Sequence, residues 1–351
     1  MQRILLLLTA GIFSIVFIVS SNTSWMKLWT NYRTTALHFS SDRYAFGDLY
    51  GLSYLSPFKD KAFPIEELKL NYIRERPSNN VHLYSICDSY LWTFLPNDSL
   101  FRHAENYQFT RWDYEAKKFY LNPSKNNILL LEMVERRVRY TVPDTSLVYK
   151  HLEVVDEAQK QNVSDITPSS WLQSHLFNKN IEQNLEFNLF DYPIFTPFKE
   201  WKAYLNYVVF NRQSQDVTVS KTRNQLYYSP TVVSTANTSS FNSLPEQEVT
   251  SLVASLNQIY HHYRRAGFTE VYLAIMPNPV TVLEPRLGAY NNLIPRLQHH
   301  PALQMPVIDV YSKLQHLRNQ PIYQRSDSHW SKIGFLAGIA QIDSTLATQS
   351  K

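Results

Sequence analysis

The longest apolar stretch of the chain is its first. Met1-Gln2-Arg3 is followed by sixteen residues, Ile4 to Val19, without a charge. A short positive segment before an apolar core is the order of a secretory signal. The stretch is apolar on every side, so it does not read as an amphipathic helix packed on a core. Sixteen helical residues rise about 24 Å, short of the ~30 Å hydrocarbon layer, and Ser20 and Ser21 can lengthen the span. Residues 1–21 are therefore expected to form an export signal, with an uncleaved anchor in the inner membrane favoured over a cleaved peptide and a secreted product. No cysteine follows, which excludes a lipoprotein.

Beyond a polar connector at 22–43, the pattern changes to short runs. Val81 to Cys87 alternates and is rich in strand formers. Asp88-Ser89 can cap the helix that Tyr90 to Leu95 would begin. Ile128 to Val134 is nearly continuous in apolar residues, as in a strand covered on both faces. Leu244 to Gly267 places Leu252, Leu256, Ile259 and Tyr263 on one helical face, with Gly267 as a stop. Val271 to Met276 and Pro306 to Val310 predict a third and a fourth strand, and Trp330 to Leu346 a closing helix. Strands alternating with helices give an α/β fold with a mainly parallel sheet flanked by helices, over residues 44–351. Residues 140–245 are polar apart from an aromatic patch at Phe187–Phe210, and are expected to be a partly helical insertion packed on that domain.

Composition narrows the chemistry. Only seven of 351 residues are glycine, and none lies between 52 and 266. Phosphate-cradling loops need several glycines to let backbone amides approach the ligand, which argues against an ATPase, a kinase or a dinucleotide-dependent dehydrogenase. One cysteine, Cys87, leaves no intramolecular disulfide and no thiolate cage. The histidine pairs are adjacent rather than at ligand spacing, so no metal site is expected. A net charge of +4 with no basic run gives nucleic-acid binding no support. Outside the cytoplasm there is no ATP or soluble nicotinamide pool, so hydrolysis, acyl transfer and binding remain, and no cofactor is expected.

Two short motifs carry candidate chemistry. Ser89 follows the first strand at the first turn of a helix, where a hydroxyl can be presented beside backbone amides able to stabilise an oxyanion. The plain alternative is a helix N-cap. Near the other end stands Ser326-Asp327-Ser328-His329-Trp330. One residue separates Asp327 from His329, so an extended segment points both side chains to one face, where the carboxylate can hold the imidazole as a general base. The plain alternative is a loop capping the last helix. Cys87 reads as a buried strand-end residue rather than a nucleophile.

Together, Cys87-Asp88-Ser89-Tyr90 and Ser326-Asp327-Ser328-His329-Trp330 resemble the SGNH-hydrolase superfamily. Within it they resemble the AlgJ/AlgX-like branch of alginate O-acetyltransferases and related polysaccharide-acetylation proteins. That branch pairs a GDS-type serine motif with a late (T/S)-D-x-H-W motif. The amino-terminal anchor and the Glu135-Arg136 pair also look like that branch. The resemblance runs thinly over about 44–345, with strong points only at the two motifs; Cys87 stands where the family has glycine, and no GxND block is found. It implies an SGNH-like, flavodoxin-like fold, with Ser89 as nucleophile, His329 as general base then acid, and Asp327 as the orienting carboxylate. The oxyanion would be held by the Ser89 amide and by Asn278 of Pro277-Asn278-Pro279, whose plain alternative is a proline-bounded turn. Read from the residues alone, Tyr90, Trp92 and Trp330 are candidates to stack on sugar, the plain alternative being core or surface filler. Trp112 is a further candidate aromatic.

The function expected on this resemblance is O-acetyl transfer to a cell-surface polysaccharide through an acetyl-serine, on the periplasmic side of the inner membrane. A multispanning membrane-bound O-acyltransferase would supply the acetyl group. Two alternatives are a carbohydrate acetylesterase, in which water is the acceptor, and a non-catalytic polysaccharide-binding or assembly protein that keeps the fold with a decayed site.

Overall fold

The nearly continuous apolar runs become strands because both faces of the sheet are covered. In a computed structural model, which describes residues 2–21, 46–61, 80–92, 100–112, 117–155, 195–220 and 222–349, the described strands are β1 (Val81–Cys87), β2 (Asn106–Arg111), β3 (Lys117–Tyr120), β4 (Asn126–Val134), β5 (Leu152–Val155), β6 (Val217–Val219), β7 (Leu226–Tyr228) and β8 (Glu270–Met276). Four of them form a parallel sheet in the order β2-β1-β4-β8. Val307 extends it by a single parallel bridge to Leu273 beyond β8. Counting sheet strands alone, that is the doubly wound order 2-1-3-4-5, whose switch point lies between β1 and β4.

The period of two decides the two cores. On β4, Ile128, Leu130 and Val134 face one layer, which includes Tyr90, Trp330, Phe335, Ile339 and Ile342. Leu129, Leu131 and Met133 face the other, where Leu252, Leu256, Ile259 and Tyr263 of the Glu246–Arg265 helix pack. Residues on β8 divide the same way. The α/β architecture with a mainly parallel sheet is thus as expected. The Glu246–Arg265 helix also stops as expected, with Gly267 at φ +109° just past its end.

Several boundaries differ from the expectation. The Pro306–Val310 segment contributes a bridge rather than a strand, because Asp309 accepts from Ser312 N–H (2.9 Å) and caps a helix that starts at Val310. The chain separates into two compact units, one of Met1–Ala62 with Gln161–Ser214, the other of Phe63–Lys160 with Gln215–Lys351. The inserted region is therefore narrower than 140–245. On one side, β5 pairs with β3; on the other, Leu226 N–H donates to Arg325 O (3.0 Å) and Ser240 bonds Thr281 (2.7 Å), which ties both flanks to the sheet unit. Residues 46–61 fall in the first unit rather than with the sheet. The connector at 22–43, Thr93 to Leu95 and the patch residues 187–194 lie outside the described residues.

The first unit contains the helix Gln2–Ser21, the short helix Asp48–Ser53 and the helix Thr196–Phe210. Arg3–Ser21 has a mean hydropathy of 2.5 and is long and apolar enough to cross a membrane. Tyr50, fully buried, donates its hydroxyl to Glu200, and Lys59 Nζ pairs with the same carboxylate at 2.9 Å.

Trp330 is the largest fully buried side chain, and the closing helix Lys332–Gln349 makes room for it with glycines. A Cβ on Gly334 would stand 2.1 Å from Ile322 O and 2.9 Å from Trp330 Cβ. Alanine normally gains about 1 kcal/mol over glycine inside a helix. Here the backbone clash outweighs that gain, and Gly334→Ala is expected to lose roughly 1–3 kcal/mol, read as a lowered midpoint in thermal unfolding. An unchanged or raised midpoint would show that the helix moves away from Trp330 at little cost.

Candidate active site

The candidate residues gather at the carboxyl ends of β1, β4 and β8, beside the switch point where open α/β sheets place their ligand sites. Asp88 is the strut of this edge. Its N–H donates to Glu132 Oε2 of β4 (2.8 Å), and its carboxylate accepts from Tyr90 N–H (2.9 Å) and Val134 N–H (2.5 Å). The first bond of that carboxylate starts the short helix Ser89–Trp92; the second fastens β1 to β4. Ser89 is half-buried at the first position of the helix, where N–H groups have no acceptor within the helix itself.

At the opposite end of the sequence, Asp327 Oδ1 accepts from both His329 N–H (2.8 Å) and the ring Nδ1 (2.5 Å). The bond fixes Nδ1–H toward the carboxylate, which leaves Nε2 as the nitrogen able to take a proton. Both side chains are 13% exposed.

Tyr90 brings the two motifs together across 238–240 residues of chain. Its hydroxyl donates to Ser328 O (2.5 Å), and its carbonyl accepts from Trp330 Nε1 (2.8 Å). Its ring lies 5.2 Å from the His329 ring and 5.4 Å from Trp330, centroid to centroid. Ser89 is the residue next to Tyr90. Among the described residues no hydrogen bond joins Ser89 to His329; such bonds are often long in unliganded enzymes and tighten with substrate.

A third group comes from the helix Glu135–Thr141, which follows β4 directly, and from the segment after β8. Glu135 Oε2 accepts from Asn278 N–H (3.0 Å) and Thr281 Oγ1 (2.6 Å). Arg136 donates to Asn278 Oδ1 (3.5 Å) and lies 5.8 Å from the centre of the Tyr90 ring. Burial pushes the Glu135 carboxyl above its usual value, with hydrogen bonds from Thr281 and Asn278 opposing the shift. Arg136 is thus the half-buried cation at the site, and sequence reading identified it only through the family likeness of the Glu135-Arg136 pair.

Other expectations change. Asn278 is completely buried and its Nδ2 donates to Ser240 Oγ (3.1 Å), so its amide holds the core together rather than facing a ligand. Tyr90 and Trp330 are completely buried and cannot stack on sugar; they position the two motifs instead. Trp92 is half-buried, with the Arg111 guanidinium 3.4 Å over its ring, so that face is occupied. Trp112 donates Nε1–H to Glu132 O (2.6 Å) in the interior. Cys87 is buried among apolar residues, its thiol donates to Thr110 O (3.5 Å), and burial pushes its pKa well up. Its side chain points into the core and away from a nucleophile's role.

The chain matches no family model, no curated protein and no solved structure.

Glu132 gives a test of the edge. It is completely buried, and desolvation together with the Asp88 charge pushes its carboxyl well above the ordinary glutamate value. A carboxyl raised in this way binds its proton more tightly when folded. The protein therefore loses stability as pH rises from the ordinary value through the folded one. Glu132→Gln keeps an oxygen to accept from Asp88 N–H and does not titrate. Its unfolding midpoint relative to wild type is expected to rise as pH is raised above the ordinary glutamate range. A difference independent of pH would show that Glu132 carries no bound proton in the fold.

Proposed function

We propose that the chain is an SGNH-like acyl-transfer protein that moves O-acetyl groups to a cell-surface polysaccharide through an acetyl-serine. The observation that carries this reading is the Asp327–His329 bond, tied to Tyr90, the residue after Ser89, by the Tyr90 contacts to Ser328 and Trp330. A carboxylate that orients an imidazole next to a helix-start serine is the arrangement acyl transfer requires.

In the first half-reaction Ser89 Oγ attacks the acetyl carbonyl while His329 Nε2 takes its proton. The tetrahedral intermediate collapses, and the imidazolium returns that proton to the departing group. In the second half, a sugar hydroxyl gives its proton to Nε2 and attacks the acetyl-serine, and Ser89 Oγ leaves with the proton back. Asp327 stabilises the imidazolium in both halves. The oxyanion is met by the Ser89 N–H and by the Arg136 guanidinium, which takes the place expected for Asn278. With water as acceptor, the same steps make the site an acetylesterase.

The Arg3–Ser21 helix supports an anchored protein on the periplasmic side of the inner membrane. A membrane-bound O-acyltransferase remains the partner that the family resemblance implies. The polymer is assigned to a groove of about 480 Å³ lined by Arg223, Arg286 and Arg318 with Glu284, Leu283 and Pro285. One wall comes from the segment before β7, whose Leu226 bonds to Arg325 just before the late motif. Three guanidiniums against the one carboxylate of Glu284 leave an excess of positive charge, which suits a polymer that carries carboxylate or phosphate groups.

The lack of a Ser89–His329 bond among the described residues favours a second reading, a binding protein with a decayed site. The two separate on p-nitrophenyl acetate. The full chain in detergent is expected to accumulate acetyl-Ser89, detected by peptide mass spectrometry, and Ser89→Ala to release nitrophenol at the background rate. Asp327→Asn should lower turnover by on the order of 10⁴-fold. Equal rates for wild type and Ser89→Ala, in folded samples, would sink the acyl-transfer reading.

Arg286→Ala tests the groove. Arg286 is exposed, so its loss should leave stability and nitrophenol release unchanged. Its KM for an anionic oligosaccharide acceptor should rise about tenfold, the loss of one charge-assisted hydrogen bond. An unchanged KM would remove the polymer from this groove.

A further inference from the structure

The helix Thr196–Phe210 wears its amphipathicity inside out. Phe198, Trp201 and Val209 are 71%, 67% and 66% exposed, and Tyr204, Val208 and Phe210 are exposed as well. At about 100° per residue, Tyr204, Val208, Trp201, Leu205, Phe198 and Val209 fall in one arc of about 140°. That is the width of stripe a helix ordinarily turns toward a protein core. Here the polar side touches the rest of the unit instead. Glu200 accepts from Lys59 Nζ (2.9 Å) and from the Tyr50 hydroxyl, and Lys199 Nζ donates to the Tyr54 hydroxyl (3.3 Å). The outward arc carries no acidic residue; Lys202, exposed at its margin, and Arg212, exposed just past the helix end, are both cations.

An apolar face of this size in water is costly, and its composition points to one occupant. Tryptophan and tyrosine prefer the boundary between hydrocarbon and headgroups, while lysine and arginine beside an apolar arc meet anionic headgroups. The same unit contains the apolar helix Gln2–Ser21, which also needs a hydrocarbon neighbour. We infer that Thr196–Phe210 is an interfacial helix that lies flat on a membrane containing anionic lipid, with Phe198, Trp201, Leu205, Val208 and Val209 among the acyl chains and Lys202 and Arg212 at the headgroups. The inference stands apart from the acyl-transfer reading. It gives the first unit a second attachment that does not span the bilayer.

The test uses the full chain in vesicles of phosphatidylcholine with and without phosphatidylglycerol. Cys87 is the only cysteine and is buried, so an environment-sensitive maleimide dye will report on introduced cysteines alone. Dyes at Phe198→Cys and Val208→Cys are expected to lose at least half their emission to a nitroxide on the lipid acyl chain, while a dye at exposed Lys313→Cys is not quenched. The loss should shrink without phosphatidylglycerol and in a Lys202→Glu, Arg212→Glu background. Quenching of native Trp201 by brominated lipid, taken as the difference from Trp201→Phe, gives the same readout without a cysteine. Arc positions quenched by aqueous iodide as freely as Lys313 would overturn the inference, because the face would then meet water. Positions shielded from lipid and iodide alike would overturn it too, because a second copy or another protein would then cover the helix.

Discussion

Tyr90 joins the two ends of the candidate site. A hydroxyl that donates to Ser328 and a carbonyl that accepts from Trp330 bind one buried residue to a segment about 240 positions away. Both bonds lie in the interior, where breaking either would leave a buried polar group without its partner, at roughly 1–3 kcal/mol. Trp330 adds its own burial, and the closing helix is cut to fit it with Gly334 and Gly338. The position of His329 relative to Ser89 is therefore a property of the packed core. A flexible loop could not hold two such groups in register.

The same edge concentrates carboxyl groups, and each has a different task set by its surroundings. Asp88 accepts two backbone N–H groups and stitches β1 to β4. Glu132, without solvent and next to Asp88, is pushed toward its neutral form. Glu135 receives Asn278 and Thr281 and anchors the segment after β8. Asp327 is the one that meets an imidazole. Three carboxyl groups, Asp88, Glu132 and Glu135, thus accept from backbone N–H groups at the edge that carries the Asp327–His329 pair.

The two units divide the physical problem. The sheet unit buries its apolar residues on both faces and places polar chemistry at one edge. The first unit does the reverse, exposing an apolar helix near its start and a second apolar arc on Thr196–Phe210. Burial of the polar side of that helix, through Glu200 with Lys59 and Tyr50, is what forces the aromatic side outward.

Much of this was legible in the residue pattern. The runs at Val81–Cys87, Ile128–Val134 and Val271–Met276 read as strands, the second as one covered on both faces because it is nearly continuous in apolar residues, and the Leu252-Leu256-Ile259-Tyr263 spacing reads as one helical face. Asp327 and His329 do pair, but through a turn at 325–329 rather than an extended segment, with Asp327 Oδ1 accepting from both the His329 N–H and its ring. β2 escaped notice, since Asn106–Arg111 mixes polar and aromatic residues at the sheet edge and its pairing comes from β1. Tyr90, Trp330 and Asn278 looked like ligand-facing groups, because sequence cannot tell an aromatic or an amide at a motif from one packed beneath it. That distinction is a matter of burial, and burial is set by contacts between residues far apart in the chain. Local periodicity and motif spacing determined the elements and the candidate chemistry. Only tertiary packing decided which of those side chains stay accessible, which are buried and tie the two motifs together, and which way the helix at Thr196–Phe210 turns its apolar face.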